Sequence, residues 1–290
     1  MSIKISAVTD EISADPETAI ELGTHWGIHD FELRGYFTDR VPIFSSYQKK
    51  HLQDILQAYD ARIIAIGPGL FKIPFPPKTA ASASLSWLDK AEYDRWEQSQ
   101  RLVDYHLNEL LPQSLDYANE LGAQLVLVFG FDRSGVPAGK APEGVLEYLF
   151  KAAERAKATN LRLLIENEAG FWADTGERTS WIVRSINHPS LGVNWDPGNA
   201  FFAGDVPYPD GFSAVRGMVQ HVHYKDATCN ERGGPYYCNE GDIDWEGQVR
   251  HLLEGEYDGY ISIETHMSPK VAAAEAALRR LRNLLEQNNC

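Results

Sequence analysis

Hydrophobic runs of five or six residues alternate with stretches of helical periodicity from one end of the chain to the other. The runs are IKISAV, DFELR, RIIAIG, QLVLVF, LRLLIE, LGVNWD, HVHYK and YISIE, short and rich in Val, Ile and Leu as strands are. Between them Leu52, Ile55, Leu56 and Tyr59, then Leu146, Leu149, Phe150 and Ala153, then Val271, Ala274, Leu278, Leu281 and Leu285 recur every three or four positions. Those stripes predict helix faces turned toward a core. Asp15 before Pro16 and Glu17 predicts an N-cap with proline at the first helical position, and Gly23 predicts the stop. Pro112 falls inside the long helical stretch from Trp96 to Leu121, which it should kink or split.

Strands joined through single helices pair in parallel. Eight strands in strict alternation with helices, and no GxGxxG after the first, predict an α/β protein that closes into a (β/α)8 TIM barrel, one domain over residues 1–290, rather than an open doubly wound sheet. Residues 71–95 form an overlong connection after the third strand, first proline-rich and then rich in small residues, and predict a lid over the mouth. Aromatic residues in the early connections, Trp26, Tyr36, Phe37, Phe71, Phe75 and Trp87, are of a kind that stacks on sugar rings, though packing explains most of them as well.

The last four strands end alike. Glu166 closes LRLLIE, Asp196 closes LGVNWD, His221 and His223 close VQHVH, and Glu264 closes YISIE. The spacings are 30 residues (196 − 166), 27 (223 − 196) and 41 (264 − 223), each long enough for a strand, a loop, a helix and a return. A parallel barrel brings such tips together at one mouth, where three carboxylates and an imidazole suit one divalent cation, manganese or magnesium first and zinc or cobalt after them. His221 and His223 lie on one side of their strand. His223 is nearer the tip and is taken as the ligand, with His221 behind it in the barrel interior. His266, two residues beyond Glu264, is a candidate for the pocket wall.

Charge narrows the partners. With 27 Lys and Arg against 41 Asp and Glu, the net charge is −14, and no basic run offers a nucleic-acid or membrane surface. No stretch reaches the length of an apolar membrane span. Cys229, Cys238 and Cys290 form neither a paired framework nor a metal spacing, which suits a reducing cytoplasm. The expected partner is a small-molecule sugar or sugar derivative. Self-association into a homo-oligomer stays open.

HVHYKDA, EGDIDWEG and EYDGYISIETH, together with TDEIS and DFELR near the start, make the chain resemble the xylose isomerase-like TIM-barrel superfamily of sugar and sugar-phosphate isomerases and epimerases. The resemblance runs over nearly the whole length. It implies metal ligands at Glu166, Asp196, His223 and Glu264, and places the family's KD lysine, near substrate, at Lys225. The pattern departs at three positions: Glu168 stands where many members have histidine, and Asn199 and Cys229 where the ketose epimerases have histidine and arginine. Glu168, Asn199, Lys225, His221 and His266 are therefore the candidate substrate-binding residues.

The chemistry expected of such a site is isomerisation or epimerisation of a keto-sugar or related hydroxy-carbonyl compound through an enediolate, with Glu166 and Glu264 as the acid/base pair. Dehydration of a sugar or inosose-type compound uses the same ligands and is the runner-up. An apurinic-site DNA endonuclease is weaker. Its ENxAG motif is matched by ENEAG at 166–170, but the further histidines of a trinuclear zinc site are missing at 67–70, at 129–131 and at Asn199, and the chain has no basic groove. A barrel that binds sugar without turnover is the last alternative.

Overall fold

The computed structural model of the protein describes residues 3–75 and 90–288. Eight strands form the barrel wall: β1 (Lys4–Val8), β2 (Asp30–Leu33), β3 (Arg62–Leu70), β4 (Leu125–Phe129), β5 (Arg162–Glu166), β6 (Leu191–Trp195), β7 (Val219–Tyr224) and β8 (Tyr260–Ile263). Every neighbouring pair is parallel, and β1 pairs with both β2 and β8, so the sheet closes without an edge. All eight predicted strands are present, and the chain is a closed (β/α)8 TIM barrel.

All eight strands are buried at their ends, and three of them begin with a charged residue in solvent. Lys4, Arg62 and Arg162 open theirs in solvent, whereas Val8, Leu33, Leu70, Phe129, Glu166, Trp195, Tyr224 and Ile263 close theirs in the interior. Along the barrel axis runs a polar column. His221 Nε2 lies 3.0 Å from both Glu32 Oε2 and Ser262 Oγ, and Ser262 bonds to Ser6. A parallel sheet covered on both faces is ordinarily apolar throughout. His221 Nε2, Glu32, Ser262 and Ser6 have each other as partners, which is the condition for burying them, while His221 Nδ1 has none.

The helices differ from the sequence pattern in instructive places. Asp15 does cap the helix Pro16–His25, accepting from Glu17 N at 3.2 Å. Gly23, predicted as its stop, lies inside it instead: a Cβ there would fall 2.5 Å from the Phe31 ring, so the glycine lets helix and β2 approach, and the left-handed turn comes later at Gly27. In the stripes, Leu52, Ile55, Leu149, Ala153, Ala274, Leu278, Leu281 and Leu285 are buried, but Phe150 and Val271 are exposed. The long helical stretch is split as Pro112 predicted. Lys90–Tyr105 and Leu111–Leu121 are joined through a π-turn, His106–Leu110, whose Leu107 carbonyl accepts from Arg155.

Of the expected lid, residues 76–89 lie outside the described residues, as do Trp87 and Cys290. Its first residues are anchored: Phe71 is fully buried and stacks on Phe131 at 4.7 Å between ring centres, and Phe75 meets Phe131 edge-on at 5.2 Å.

Candidate metal centre at the barrel mouth

The tips of β5 to β8 bring four donors together. One ligand atom from each of Glu166, Asp196, His223 and Glu264 lies within 4.8 Å of all the others, and all four residues are buried. Glu166 is the last residue of β5. Asp196 follows Trp195 of β6 and caps the short helix Pro197–Phe202, its Oδ1 accepting from Asn199 N at 2.8 Å. His223 Nδ1 faces the carboxylates, 3.0 Å from Glu264 Oε2, 3.5 Å from Glu166 Oε1 and 3.6 Å from Asp196 Oδ2.

Charge inside this cluster is held by neighbours. Burial alone would lower the His223 imidazole, but Glu32, Glu264 and Glu166 override it and hold it well above the ordinary histidine value. Burial would raise Glu264, yet Lys225, His223 and His266 hold its carboxyl well below the usual range. The Lys225 ammonium is fully buried, 2.7 Å from Asp196 Oδ2 and 2.5 Å from Glu264 Oε2, and those carboxylates raise it despite its burial. Asp196 Oδ2 and Glu264 Oε2 have these ion pairs but no hydrogen bond. Buried anionic oxygens without hydrogen-bond donors, beside an imidazole nitrogen, form an O3N donor set that fits a divalent cation.

The other predicted residues divide by position. Glu168 and His266 line the cavity over the centre. Glu168 pairs with Lys72 at 2.8 Å, and burial raises its carboxyl against that lysine. His266, in the left-handed region at φ 53°, gives its backbone N–H to Glu11 at 2.8 Å. Asn199 is buried and donates to Glu166 Oε1 at 3.2 Å and to Asn167 O at 2.9 Å. Asn199 and Lys225 thus hold carboxylates and do not border the cavity, and His221 lies below His223 in the column. Of the early aromatic candidates, none among the described residues borders the cavity; the ring on its wall is Phe129, with Lys72 4.5 Å above it.

Glu32, Arg34 and Arg40, like Lys72, went unread. Glu32 Oε2 lies 3.0 Å from His223 Nε2, opposite the carboxylates, and the two histidines hold Glu32 well below the usual carboxylate range although burial works the other way. Arg34 bonds Asp10 at 2.9 Å, Glu11 at 2.6 Å and also Glu264. Arg40 borders the same cavity. The signal was present in DFELR: strand alternation puts Glu32 and Arg34 on one face and Phe31 and Leu33 on the other.

Comparison with known proteins places these features in a family. Residues 20–284 match the model of the xylose isomerase-like TIM barrel. An inosose dehydratase of Clostridium perfringens is 21% identical over 207 residues, 60% of this chain and 68% of that protein. Among solved structures, a D-allulose 3-epimerase from Methylomonas sp. in complex with D-allulose superposes with a TM-score of 0.65 at 15% identity, covering 97% of both chains. A xylose isomerase-like TIM barrel protein from Mycobacterium smegmatis in complex with magnesium gives 0.68 at 13% identity, covering 99% of this chain and 98% of that one. At these identities the two structures establish the shared fold.

Proposed function

Because the chain belongs to the xylose isomerase-like TIM barrel family, we propose that it is a divalent-metal-dependent isomerase or epimerase of a keto-sugar or related hydroxy-carbonyl compound. The observation that carries this reading is the convergence of Glu166, Asp196, His223 and Glu264 at four successive strand ends. On this reading these four residues hold one cation, manganese or magnesium by the oxygen-rich donor set, with zinc or cobalt as substitutes. When bound, the ion would polarise the substrate carbonyl and make the neighbouring carbon-bound proton easier to remove. Glu166 takes that proton: its Oε1 accepts from the uncharged Asn199 amide, whereas both oxygens of Glu264 face the cations Arg34 and Lys225. Glu264 is its acid/base partner on the other side, and the proton it returns is taken up from the Lys225 ammonium beside its Oε2. Glu168 and His266 meet the substrate from the cavity wall, while Asn199, Lys225 and His221 keep the centre in place.

Dehydration is the second reading, favoured by one feature of the wall. Glu168 stands beside Glu166 on the cavity, where it can give a proton to a departing hydroxyl while Glu166 accepts one from carbon. The Clostridium perfringens relative is a dehydratase. A nucleic-acid substrate conflicts with the net charge of −14.

Turnover of ketoses and inososes in deuterated water tests the reading. Isomerisation or epimerisation places solvent deuterium on the carbon next to the carbonyl; dehydration forms an enone, visible in the ultraviolet. Protein that retains no manganese, magnesium, zinc or cobalt after reconstitution would remove the basis for both.

A further inference from the structure

Of the three cations lining the cavity beside the metal-ligand residues, two are already neutralised. Arg34 is bound to Asp10, Glu11 and Glu264, and Lys72 to Glu168. Arg40 has no carboxylate at ion-pair distance among the described residues. Its Nε donates to Gly67 O at 2.7 Å, which leaves both Nη groups without a hydrogen bond among those residues. The residue stands exposed at the rim of the cavity, where Arg34 lies on the same wall.

Arg40 is also carefully held. It follows β2 in a two-residue hairpin, Gly35–Tyr36 against Asp39–Arg40, with Arg40 opposite Gly35. Ile43 N donates to Arg40 O at 2.9 Å and Val41 N to Arg34 O at 3.2 Å, while Gln48 holds the neighbouring Asp39 at 2.7 Å. The guanidinium then crosses the end of β3 over two positions without side chains: a Cβ on Gly67 would lie 3.8 Å from Nη2, and one on Gly69 3.9 Å. An exposed arginine anchored through Nε, with no carboxylate partner among the described residues, presents both Nη groups to an anion that arrives from outside.

We propose that Arg40 receives a carboxylate of the substrate through its two Nη groups, so that the enzyme acts on hydroxy-carbonyl acids and not on neutral sugars. The proposal rests on the function assigned above and narrows its substrate class. A carboxylate presents two coplanar oxygens that match the terminal fork of a guanidinium. A phosphate dianion calls for more donors, and on this wall it would meet Glu166, Glu168 and Glu264 with one uncommitted cation to offset them.

Matched compounds make this testable. D-fructose, D-fructuronate and D-fructose 6-phosphate differ only at the terminal carbon, as do the three corresponding tagatose compounds. Binding of each is measured by calorimetry to metal-loaded and metal-free protein, for wild type, Arg40→Gln and Arg40→Lys, with circular dichroism confirming that each variant is folded. At least one uronate should bind the wild type more tightly than its neutral partner by roughly 10- to 100-fold, the range of a hydrogen-bonded charge pair. Arg40→Gln should abolish that ratio and Arg40→Lys restore part of it. The assignment is overturned if neither uronate is preferred, if the phosphates are preferred, or if Arg40→Gln keeps the ratio. Metal retention is read separately: a protein that binds metal without favouring acids loses this proposal alone, and one that favours acids through Arg40 without binding metal loses the metal-dependent function alone.

Discussion

A histidine that offers one nitrogen to a metal works only if its ring cannot turn, and Glu32 supplies that restraint to His223 from the opposite edge, 3.0 Å from Nε2. Glu32→Gln keeps the size of the side chain but removes the charge that orients the imidazole. Metal affinity should fall by about 10- to 100-fold with the fold intact; an unchanged titration would show that His223 is held by packing alone. At the proposed base, Glu166→Gln should lower turnover by roughly a hundredfold or more. Glu168→Gln should spare epimerisation but slow dehydration, so product formation by this variant separates the two readings. The ligand residues were legible because each ends a strand. The alternation of DFELR gave the face of Glu32 but not its partner, 191 positions away (223 − 32), and the place of Arg40 depends on a hairpin whose strands are two residues long.

Helices are fitted to the barrel by details that periodicity does not carry. Gly23 is a contact position: Gly23→Ala gains helix propensity but drives a methyl into the Phe31 ring, and a net loss of about 1–3 kcal/mol is expected in urea denaturation. Stability equal to or above wild type would mean that the helix shifts at no cost. The π-turn at His106–Leu110 carries a pH signature. His106 Nδ1 accepts from Phe71 N at 2.8 Å, and burial pushes the imidazole down to about 4 from 6.5. The folded value lies below the unfolded one, so the unfolded chain takes up the proton first. The contribution of His106 is therefore complete above pH 6.5 and is lost as pH falls from 6.5 to about 4. His106→Asn keeps an acceptor for Phe71 N without a titrating ring. Its stability should fall less than that of wild type over the same interval, and parallel curves for the two proteins would place the acid sensitivity elsewhere.

At the scale of the molecule, the barrel closes around a cluster of like charges. Glu166, Asp196 and Glu264 meet within 4.8 Å, tempered by His223 and Lys225. A cation bound there favours the folded state alone, by about 2.7 kcal/mol at a hundred times its dissociation constant. Chelation should accordingly lower the thermal midpoint, and magnesium or manganese should restore it. A midpoint indifferent to metal would mean that Lys225 suffices to hold the mouth together.

The eight strands, their parallel closure and the four carboxylate and histidine tips were readable along the chain, since hydrophobic period, strand length and the end of each run are local properties. Which groups surround those tips was decided by the tertiary structure. Closing the sheet sets β2 across from β7, so that Glu32 reaches His223, and it carries Arg40 onto the end of β3. It also turns Asn199 and Lys225 away from the cavity to hold the carboxylates. Contacts of this kind join side chains far apart in the chain, and their distances and charges exist only once the barrel is closed.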